Sequence, residues 1–194
     1  AEDGSTRELS AKHIVIATGS EPSGLPGVPV DQKRVVDSTG ALALESVPAS
    51  MIVIGAGIIG LELGSVWRRL GAQVTAVEYL DRICPGMDLE TAKTFQRALT
   101  KQGMTIRTGV KIAKLEKTGK GAKATIEAGG KTETIEVDKV ILAVGIVGNV
   151  EDCGFEEAGL KIDRTHIVVD ELCRTGVDGV YAIGDVAGAP WLAH

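Results

Sequence analysis

Aromatic side chains are scarce: the 194 residues include two Trp, two Tyr and two Phe. Hydrophobic residues still make up 44% of the chain, so its core has to be built from Val, Ile, Leu and Ala. An aliphatic core of this kind, with 25 glycines for tight turns, is typical of a well-packed α/β protein. The length allows one large domain or one and a half smaller ones.

Basic blocks and long apolar runs are both absent from the sequence. The formal net charge is −5, which argues against nucleic acid as a partner. No apolar run approaches the roughly 20 residues that cross a membrane, and no secretory signal is visible. The sequence therefore predicts neither a nucleic-acid partner nor membrane insertion.

Cysteine is also sparse, and its three copies form no CxxC pattern. Cys84, Cys153 and Cys173 are scattered along the chain, so we expect free thiols in a reducing compartment. Metal binding or a redox role for these cysteines is the alternative. The sequence predicts no metal site.

The most informative stretch is residues 51–60, an apolar run that leads into three glycines at GxGxxG spacing. Gly55 permits a tight turn, Gly57 leaves room for a pyrophosphate, and Gly60 lets the following helix lie close to the strand. The unpaired N–H groups and the positive dipole end of that helix favour phosphate. The pattern predicts a dinucleotide-binding turn.

A second apolar strand ends in Glu78, roughly 20 residues beyond Gly55. Its carboxylate is expected to accept hydrogen bonds from both hydroxyls of an adenosine ribose, and it would repel a 2′-phosphate. Arg82 lies shortly beyond Glu78, and its positive charge opposes the argument against a 2′-phosphate. The acid nevertheless favours NAD over NADP. The alternative is a glycine-rich turn in an ordinary βα unit.

The pattern along the chain predicts an α/β fold, a Rossmann-like domain with a central parallel sheet and an antiparallel β-meander at 110–137. Strands are expected at 13–17, 51–55, 73–78, 104–108, 140–144, 166–169 and 179–183, and helices at 37–45, 57–71 and 88–103. The side chains expected to face inward are Ile58, Leu61, Val66 and Leu70 on the first long helix, and Phe95, Leu99 and Met104 form the apolar face expected of the second. Strands 13–17 and 179–183 are expected to lack neighbours, and so to be less ordered or held by another copy of the chain.

Three further strand ends carry a glycine where a ligand can reach the backbone. Thr18-Gly19-Ser20 follows the first strand and Gly145 follows another; each signal is weak alone, and an ordinary strand-ending turn is the commoner explanation. Asp185 follows Gly184 at the end of a strand. It is expected either to bind a ribityl or ribose hydroxyl or to cap the next helix.

Together, these motifs resemble the pyridine nucleotide–disulfide oxidoreductases, flavoproteins in which an NAD(P) domain is inserted into an FAD domain. The motifs are Ala17-Thr18-Gly19, Gly55-x-Gly57-x-x-Gly60, Ala143-Val144-Gly145 and Tyr181-Ala182-Ile183-Gly184-Asp185. Within the family, the chain looks most similar to the dihydrolipoamide dehydrogenases, on residues 61–71, Met87-Asp88, Lys101-Gln102-Gly103 and residues 191–194. The similarity covers nearly the whole chain.

The resemblance implies two cofactors. It implies NAD contacts at Gly55, Ala56, Gly57, Ile58, Ile59, Gly60, Leu61, Glu62, Glu78, Ile112 and Gly145. It implies FAD contacts at Thr18, Gly19, Ser20, Asp185, Trp191, Leu192, Ala193 and His194. By the same resemblance Asp185 meets the ribityl chain and the last four residues approach the flavin ring. Glu62 would approach the nicotinamide carboxamide; a solvated helix acid is the alternative.

The chain also departs from the family pattern. Three features of the family are absent from these residues: a pair of cysteines four residues apart, a first FAD GxGxxG and a catalytic His–Glu pair. No residue is therefore assigned as catalytic. The common Arg-x-Pro after Gly145 is replaced by Ile146-Val147-Gly148. We expect an internal segment: part of an FAD domain at 1–46, an NAD domain at 47–146, and a returning part of the FAD domain at 147–194.

For the parent protein, the resemblance implies a dehydrogenase that passes electrons from dihydrolipoyl groups through a cysteine pair and FAD to NAD⁺. The implied partners are lipoyl domains of 2-oxoacid dehydrogenase or glycine-cleavage complexes and a second copy in a homodimer. The implied location is the cytoplasm or the mitochondrial matrix. The segment alone is expected to be inactive, and FAD is implied for the parent protein.

Three rival functions stay open. One is another NADH-linked flavoprotein of the same architecture, such as an NADH oxidase, mercuric reductase or ferredoxin reductase. Another is a non-catalytic NAD(H)-binding module. A plain Rossmann dehydrogenase would need a catalytic base, but His13 is expected in the core and His166 in a polar turn, and neither is well placed.

Overall fold

The computed structural model describes residue 6 and residues 8–191. In chain order the strands are β1 (Ile14–Ile16), β2 (Ser20–Pro22), β3 (Val35–Val36), β4 (Ser50–Ile54), β5 (Gln73–Val77), β6 (Thr105–Arg107), β7 (Lys111–Lys117), β8 (Ala122–Ala128), β9 (Lys131–Val137), β10 (Lys139–Leu142), β11 (Ile146–Gly148), β12 (Ile162–Asp163), β13 (His166–Ile167) and β14 (Val180–Ala182). The helices are α1 (Ser38–Leu42), α2 (Ile58–Leu70) and α3 (Leu89–Lys101), and a 3₁₀ helix spans Gly184–Ala187.

These residues form two compact units. One unit is Pro22–Gly145, and the other combines the described residues up to Glu21 with those from Ile146 onward. Residues 22–46 therefore pack with the middle of the chain. The assignment of separate parts of the chain to FAD and NAD domains stays a prediction.

The larger unit is built on a five-stranded parallel sheet in the order β3-β10-β4-β5-β6. Side chains alternate between the two faces of β4, as in any strand. Met51 and Val53 join a core that includes residues of all three helices, whereas Ile52 and Ile54 pack with the antiparallel sheet β7-β8-β9. The predicted parallel sheet with an antiparallel meander is confirmed.

The orientation predicted for α2 is wrong at three of four positions. Leu61 is fully buried, but Ile58, Val66 and Leu70 are exposed. The buried face of the helix is instead made by Gly60, Leu61, Leu63, Gly64 and Trp67. The two glycines set this orientation, because a Cβ on Gly60 would collide with the Gly55 carbonyl oxygen and one on Gly64 would crowd Met104.

The apolar face predicted for α3 holds in part. Leu99 is buried in the core shared with α2, as expected. Phe95 lies 36% exposed and borders a surface groove with Met87 and Ala98. Asp88 caps the helix by accepting a hydrogen bond from the Thr91 N–H at 3.0 Å, which fits its predicted start.

The smaller unit corrects the expectation that its flanking strands have no partners. β1 and β14 pair with each other in parallel, with Ile14 opposite Val180 and Ile16 opposite Ala182. β2 pairs with β11, and β12 pairs with β13. Sequence reasoning treated the two flanks as separate, because they lie far apart in the chain and meet only in the fold.

The histidine placements also need correction. His13 is exposed and not in the core; its ring meets Tyr181 edge-on at a centroid distance of 6.0 Å. His166 belongs to β13, and not to a polar turn, with its ring partly buried. Neither ring is placed as a catalytic base by these contacts. Among the described residues, no helix is long and apolar enough to cross a membrane.

Asp31 ties the loop before β3 to the meander. Its carboxylate accepts backbone N–H groups from residues 33–35 and forms an ion pair with Lys117 at 2.9 Å. Burial opposes ionisation of Asp31, but Lys117 and these N–H groups outweigh it and hold the pKa of the carboxyl below its usual range. Asp31 therefore stabilises the fold most when it is charged.

We expect Asp31→Asn to lower the free energy of unfolding by about 1–2 kcal/mol at neutral pH, since one charged hydrogen-bonding partner is lost. A carboxyl whose pKa is depressed in the fold stabilises fully above the unfolded pKa of about 4 and loses that effect as the pH falls below it. The difference between variant and wild type should therefore shrink in urea melts as the pH drops below about 4. Glu90→Gln, which removes an exposed ion pair with Lys93, is the control and should change nothing measurable. An Asp31 effect that is independent of pH would contradict this account.

Candidate functional site

The glycine turn between β4 and α2 has the close contacts that the sequence predicts. Gly55 has a positive φ of 100°, and a Cβ there would collide with the Ala143 carbonyl oxygen. Gly57 begins the helix with no side-chain cap, and a Cβ on it would meet nothing within 4 Å. The turn is thus tightly packed behind Gly55 and open in front of Gly57.

Glu78 reaches this turn directly. One carboxylate oxygen accepts the Ala56 N–H at 2.8 Å, and the other accepts the Leu80 N–H at 3.0 Å. β5 delivers Glu78 beside the turn because it lies next to β4 in register, with Ile54 opposite Val77. The structure therefore brings the predicted acid and the predicted turn together.

The first turn of α2 offers backbone N–H groups on an apolar surface. Ile58 and Ile59 are exposed, whereas Leu61 has its side chain in the core and gives its N–H to the Gly57 carbonyl at 3.0 Å. Glu62 is exposed on the helix surface. Backbone N–H groups at a helix start attract an anion, so this end of α2 suits a phosphate.

Arg82, the cation that opposed NAD in the sequence, is held by its own loop. Its guanidinium donates to the Pro85 carbonyl at 2.9 Å.

The two remaining NAD positions also lie in the larger unit: Ile112 is half-buried in β7 beside the meander core, and Gly145 has a positive φ of 134°. Their contacts with a nucleotide stay predictions.

A second cluster of predicted residues lies in the smaller unit. The Ser20 hydroxyl donates to the Asp185 carboxylate at 2.6 Å, at the start of the 3₁₀ helix. The Thr18 hydroxyl donates to the Asn149 carbonyl at 2.8 Å, and Gly19 has a positive φ of 75°. The four predicted FAD residues of this unit therefore fall into two hydrogen-bonded groups: Ser20 with Asp185, and Thr18 and Gly19 with Asn149.

Asn149, which bonds to Thr18 and Gly19, is the residue that sequence reasoning missed as a functional candidate. Its side-chain amide donates to the Thr18 carbonyl at 2.9 Å, and its backbone N–H donates to the Gly19 carbonyl at 3.0 Å. Gly148 precedes it, and a Cβ there would collide with the Thr165 carbonyl oxygen. An asparagine in a loop that follows a glycine-ended strand was the available signal.

Trp191 is the last described residue of the predicted flavin segment. It is 47% exposed, and its ring lies over His166 at a centroid distance of 5.6 Å and an interplanar angle of 33°. The buried Nε2 of His166 makes no hydrogen bond within the described residues. Leu192, Ala193 and His194 lie outside the described residues.

All three cysteines are free thiols: Cys84 is buried, Cys153 is exposed and Cys173 is half-buried. Across residues 6 and 8–191, no group of three or more His, Cys, Asp or Glu side chains is arranged to hold a metal ion.

The whole chain matches a known family and known proteins. The pyridine nucleotide-disulphide oxidoreductase family model matches residues 1–194. Dihydrolipoyl dehydrogenase 3 of Pseudomonas putida is 53% identical over 196 residues, covering 100% of the chain and 42% of that protein. The mitochondrial dihydrolipoyl dehydrogenase of Pisum sativum is 46% identical, covering 99% of the chain and 39% of that protein. The chain thus spans about two fifths of the length of these relatives.

Solved structures give the same similarity in three dimensions. LpdA from Mycobacterium tuberculosis superposes with a TM-score of 0.89 at 30% identity, over 99% of the chain and 41% of that structure. The Cu(II) complex of the HOCl-induced flavoprotein disulfide reductase RclA from Escherichia coli follows with a TM-score of 0.83 at 26% identity, over 95% of the chain and 42% of that structure.

Proposed function

Because the chain belongs to the pyridine nucleotide–disulphide oxidoreductase family, we propose that it forms the NAD-binding part of a flavoprotein disulfide oxidoreductase and contributes to its FAD site. The observation that carries the proposal is the hydrogen bond from the Ala56 N–H to the Glu78 carboxylate at 2.8 Å. It places an acid beside an open helix N-terminus, which is the arrangement that an adenosine diphosphate requires.

The two groups of residues would hold different parts of the cofactors. The open turn at Gly57 and the N–H groups that follow it would bind the diphosphate, and Glu78 would accept the ribose hydroxyls. Asp185, oriented by Ser20, would bind a ribityl hydroxyl, and Thr18 and Gly19 would contact FAD. When bound, NAD and FAD supply the hydride and electron transfer, while these residues supply binding and orientation.

For the parent protein we propose dihydrolipoyl dehydrogenase activity, with lipoyl domains of 2-oxoacid dehydrogenase or glycine-cleavage complexes as substrates and a second copy as partner. The identity of 53% to a dihydrolipoyl dehydrogenase, against 26% to the RclA reductase, favours this activity over a general disulfide reductase. The proposed location is the cytoplasm or the mitochondrial matrix. The proposed domain division is FAD at 1–46, NAD at 47–146 and FAD again at 147–194.

Nucleotide titration tests the NAD assignment. We expect NADH to bind the 194-residue chain saturably in fluorescence titrations. The affinity for NADPH should be lower than that for NADH by about tenfold or more, since the 2′-phosphate of NADPH would face Glu78. Adenosine without phosphate is the matched ligand for the ribose contact alone. Equal affinity for NADH and NADPH would remove Glu78 from the ribose site, and no binding of either would end the proposal.

A separate prediction concerns turnover. We expect the 194-residue chain to form no NADH from dihydrolipoamide and NAD⁺, because its three cysteines are free thiols and include no pair at the four-residue spacing that the resemblance implies for the redox pair. Absorbance at 340 nm measures the product, and the intact Pseudomonas putida dihydrolipoyl dehydrogenase is the positive control. Steady NADH formation by this chain alone would contradict the prediction.

A further inference from the structure

The peptide groups of Ala56, in the middle of the glycine turn, are held from two sides by the loop that follows β5. The Ala56 N–H is held by Glu78, and the Ala56 carbonyl accepts the backbone N–H of Cys84 at 3.0 Å. The Cys84 sulfur lies 3.9 Å from the same carbonyl oxygen. Ala56 itself is fully buried and Cys84 is 3% exposed. The phosphate-facing turn is therefore fixed from behind by residues 78–84.

Fixing the Ala56 carbonyl also fixes the next N–H group. In a trans peptide the carbonyl of one residue and the N–H of the next point in opposite directions. Because the Ala56 carbonyl is directed at Cys84, the Gly57 N–H is directed away from the loop, towards the open side of the turn. Within the described part of the chain, the Gly57 N–H donates to no acceptor.

We infer that Cys84 is a positioning residue of the dinucleotide site, which holds the Ala56–Gly57 peptide so that the Gly57 N–H faces the diphosphate. The inference rests on the function proposed above, and it deepens that proposal. Sequence reasoning treated Cys84 as an incidental thiol, because nothing in its spacing relates it to residue 56.

A small side chain suits this position. Cys84 has a positive φ of 43°, a backbone conformation that β-branched residues strongly disfavour. Its own carbonyl accepts the Met87 N–H at 2.8 Å, so both of its backbone polar groups are engaged. Burial, and then the nearby charge of Glu78, raise the pKa of the thiol, which keeps its proton available to the Ala56 carbonyl.

Three variants separate this role from general strain. Cys84→Val adds a β-branched side chain in the left-handed conformation next to Ala56. Cys173→Val imposes the same backbone strain in the smaller unit, since Cys173 has a φ of 60°. Cys84→Ser is the conservative variant, because it keeps a small side chain and a hydrogen-bond donor. Each variant is first compared with wild type by circular dichroism and urea melts.

The decisive readout is the ratio of the affinities for ADP and adenosine, which share the ribose but differ in the diphosphate. In Cys84→Val we expect ADP and NADH to bind about tenfold more weakly while the affinity for adenosine changes less than about twofold, since the misdirected Gly57 N–H loses its hydrogen bond to the charged diphosphate and the ribose contact is unchanged. Cys173→Val should leave all three ligands unchanged, and Cys84→Ser should stay close to wild type.

The outcomes keep the two proposals apart. If the wild-type chain binds ADP and a folded Cys84→Val retains that affinity, the role of Cys84 is overturned and the NAD assignment stands. An equal loss of adenosine and ADP also overturns it, because the effect would not be specific to the diphosphate. If wild type binds no nucleotide, the proposed function itself fails. Amide hydrogen exchange gives a test that needs no ligand: the Cys84 N–H should be protected in wild type, and rapid exchange would overturn the geometry directly.

Discussion

Replacing Gly55 with alanine will destabilise the larger unit by about 2–5 kcal/mol, combining the left-handed backbone penalty with steric overpacking. The φ of 100° is unfavourable for any residue with a Cβ, and the new methyl group would collide with the Ala143 carbonyl oxygen. That oxygen belongs to the backbone just after β10, so it cannot rotate away as a side chain can. The turn or the sheet has to shift, and both changes cost packing between β4 and β10.

Gly57→Ala is the matched variant for this prediction. Its φ is −78°, and a Cβ there meets nothing within 4 Å, so we expect its unfolding midpoint in urea to match wild type. The same methyl group would occupy the open side of the turn, where we place the diphosphate, and should weaken NADH binding by about tenfold or more. One glycine thus reports on folding and the other on binding. Equal stability losses in both variants would show that the turn is not packed as described.

The architecture of the larger unit could be predicted from sequence because its signals are local. An apolar strand, three spaced glycines and a capped helix follow one another within about 20 residues, and the physical role of each glycine follows from its spacing. The meander was equally visible in its alternating pattern and its glycine turns at residues 119–121 and 129–130. The order of these elements along the chain and the period of the apolar residues were therefore enough to predict most of this unit.

The errors came from contacts between distant parts of the chain. The orientation of α2 depends on Gly60 and Gly64 approaching backbone and core atoms, which the apolar pattern of Ile58, Val66 and Leu70 does not report. The pairing of β1 with β14 joins residues more than 150 positions apart, so no local pattern reveals it. Sequence reasoning expected both strands to lack partners, because it did not pair them with each other.

The candidate site shows the same division between local and distant signals. Glu78 was predictable because the acid follows its strand at a characteristic distance from the turn. Three other sets of contacts were not predictable. They are the hydrogen bond from Ala56 to Glu78, the contact of Cys84 with Ala56, and the bonds from Asn149 to Thr18 and Gly19. Each of them depends on how a loop closes in three dimensions.

Glu78→Ala should weaken NAD binding by about 1–3 kcal/mol, which is roughly 5- to 150-fold in the dissociation constant. Two physical losses contribute. The ribose hydroxyls lose a charged acceptor, and the buried Ala56 N–H loses its partner at 2.8 Å, which loosens the turn that binds the diphosphate. NADPH should lose less affinity than NADH, or gain some, because the carboxylate that opposes its 2′-phosphate is gone.

Glu78→Gln separates these contributions, because in the amide an NH2 donor replaces one of the two carboxylate oxygens, and that donor would face the N–H group of either Ala56 or Leu80. We expect an NADH affinity between those of wild type and Glu78→Ala, with discrimination against NADPH largely lost, since discrimination depends on the charge. Glu90→Ala removes an exposed acid on α3 and should leave both affinities unchanged. Fluorescence titration with both nucleotides provides the measurement. If Glu78→Ala binds NAD as tightly as wild type, Glu78 lies outside the site, and the open turn would have to recognise its nucleotide without the neighbouring acid.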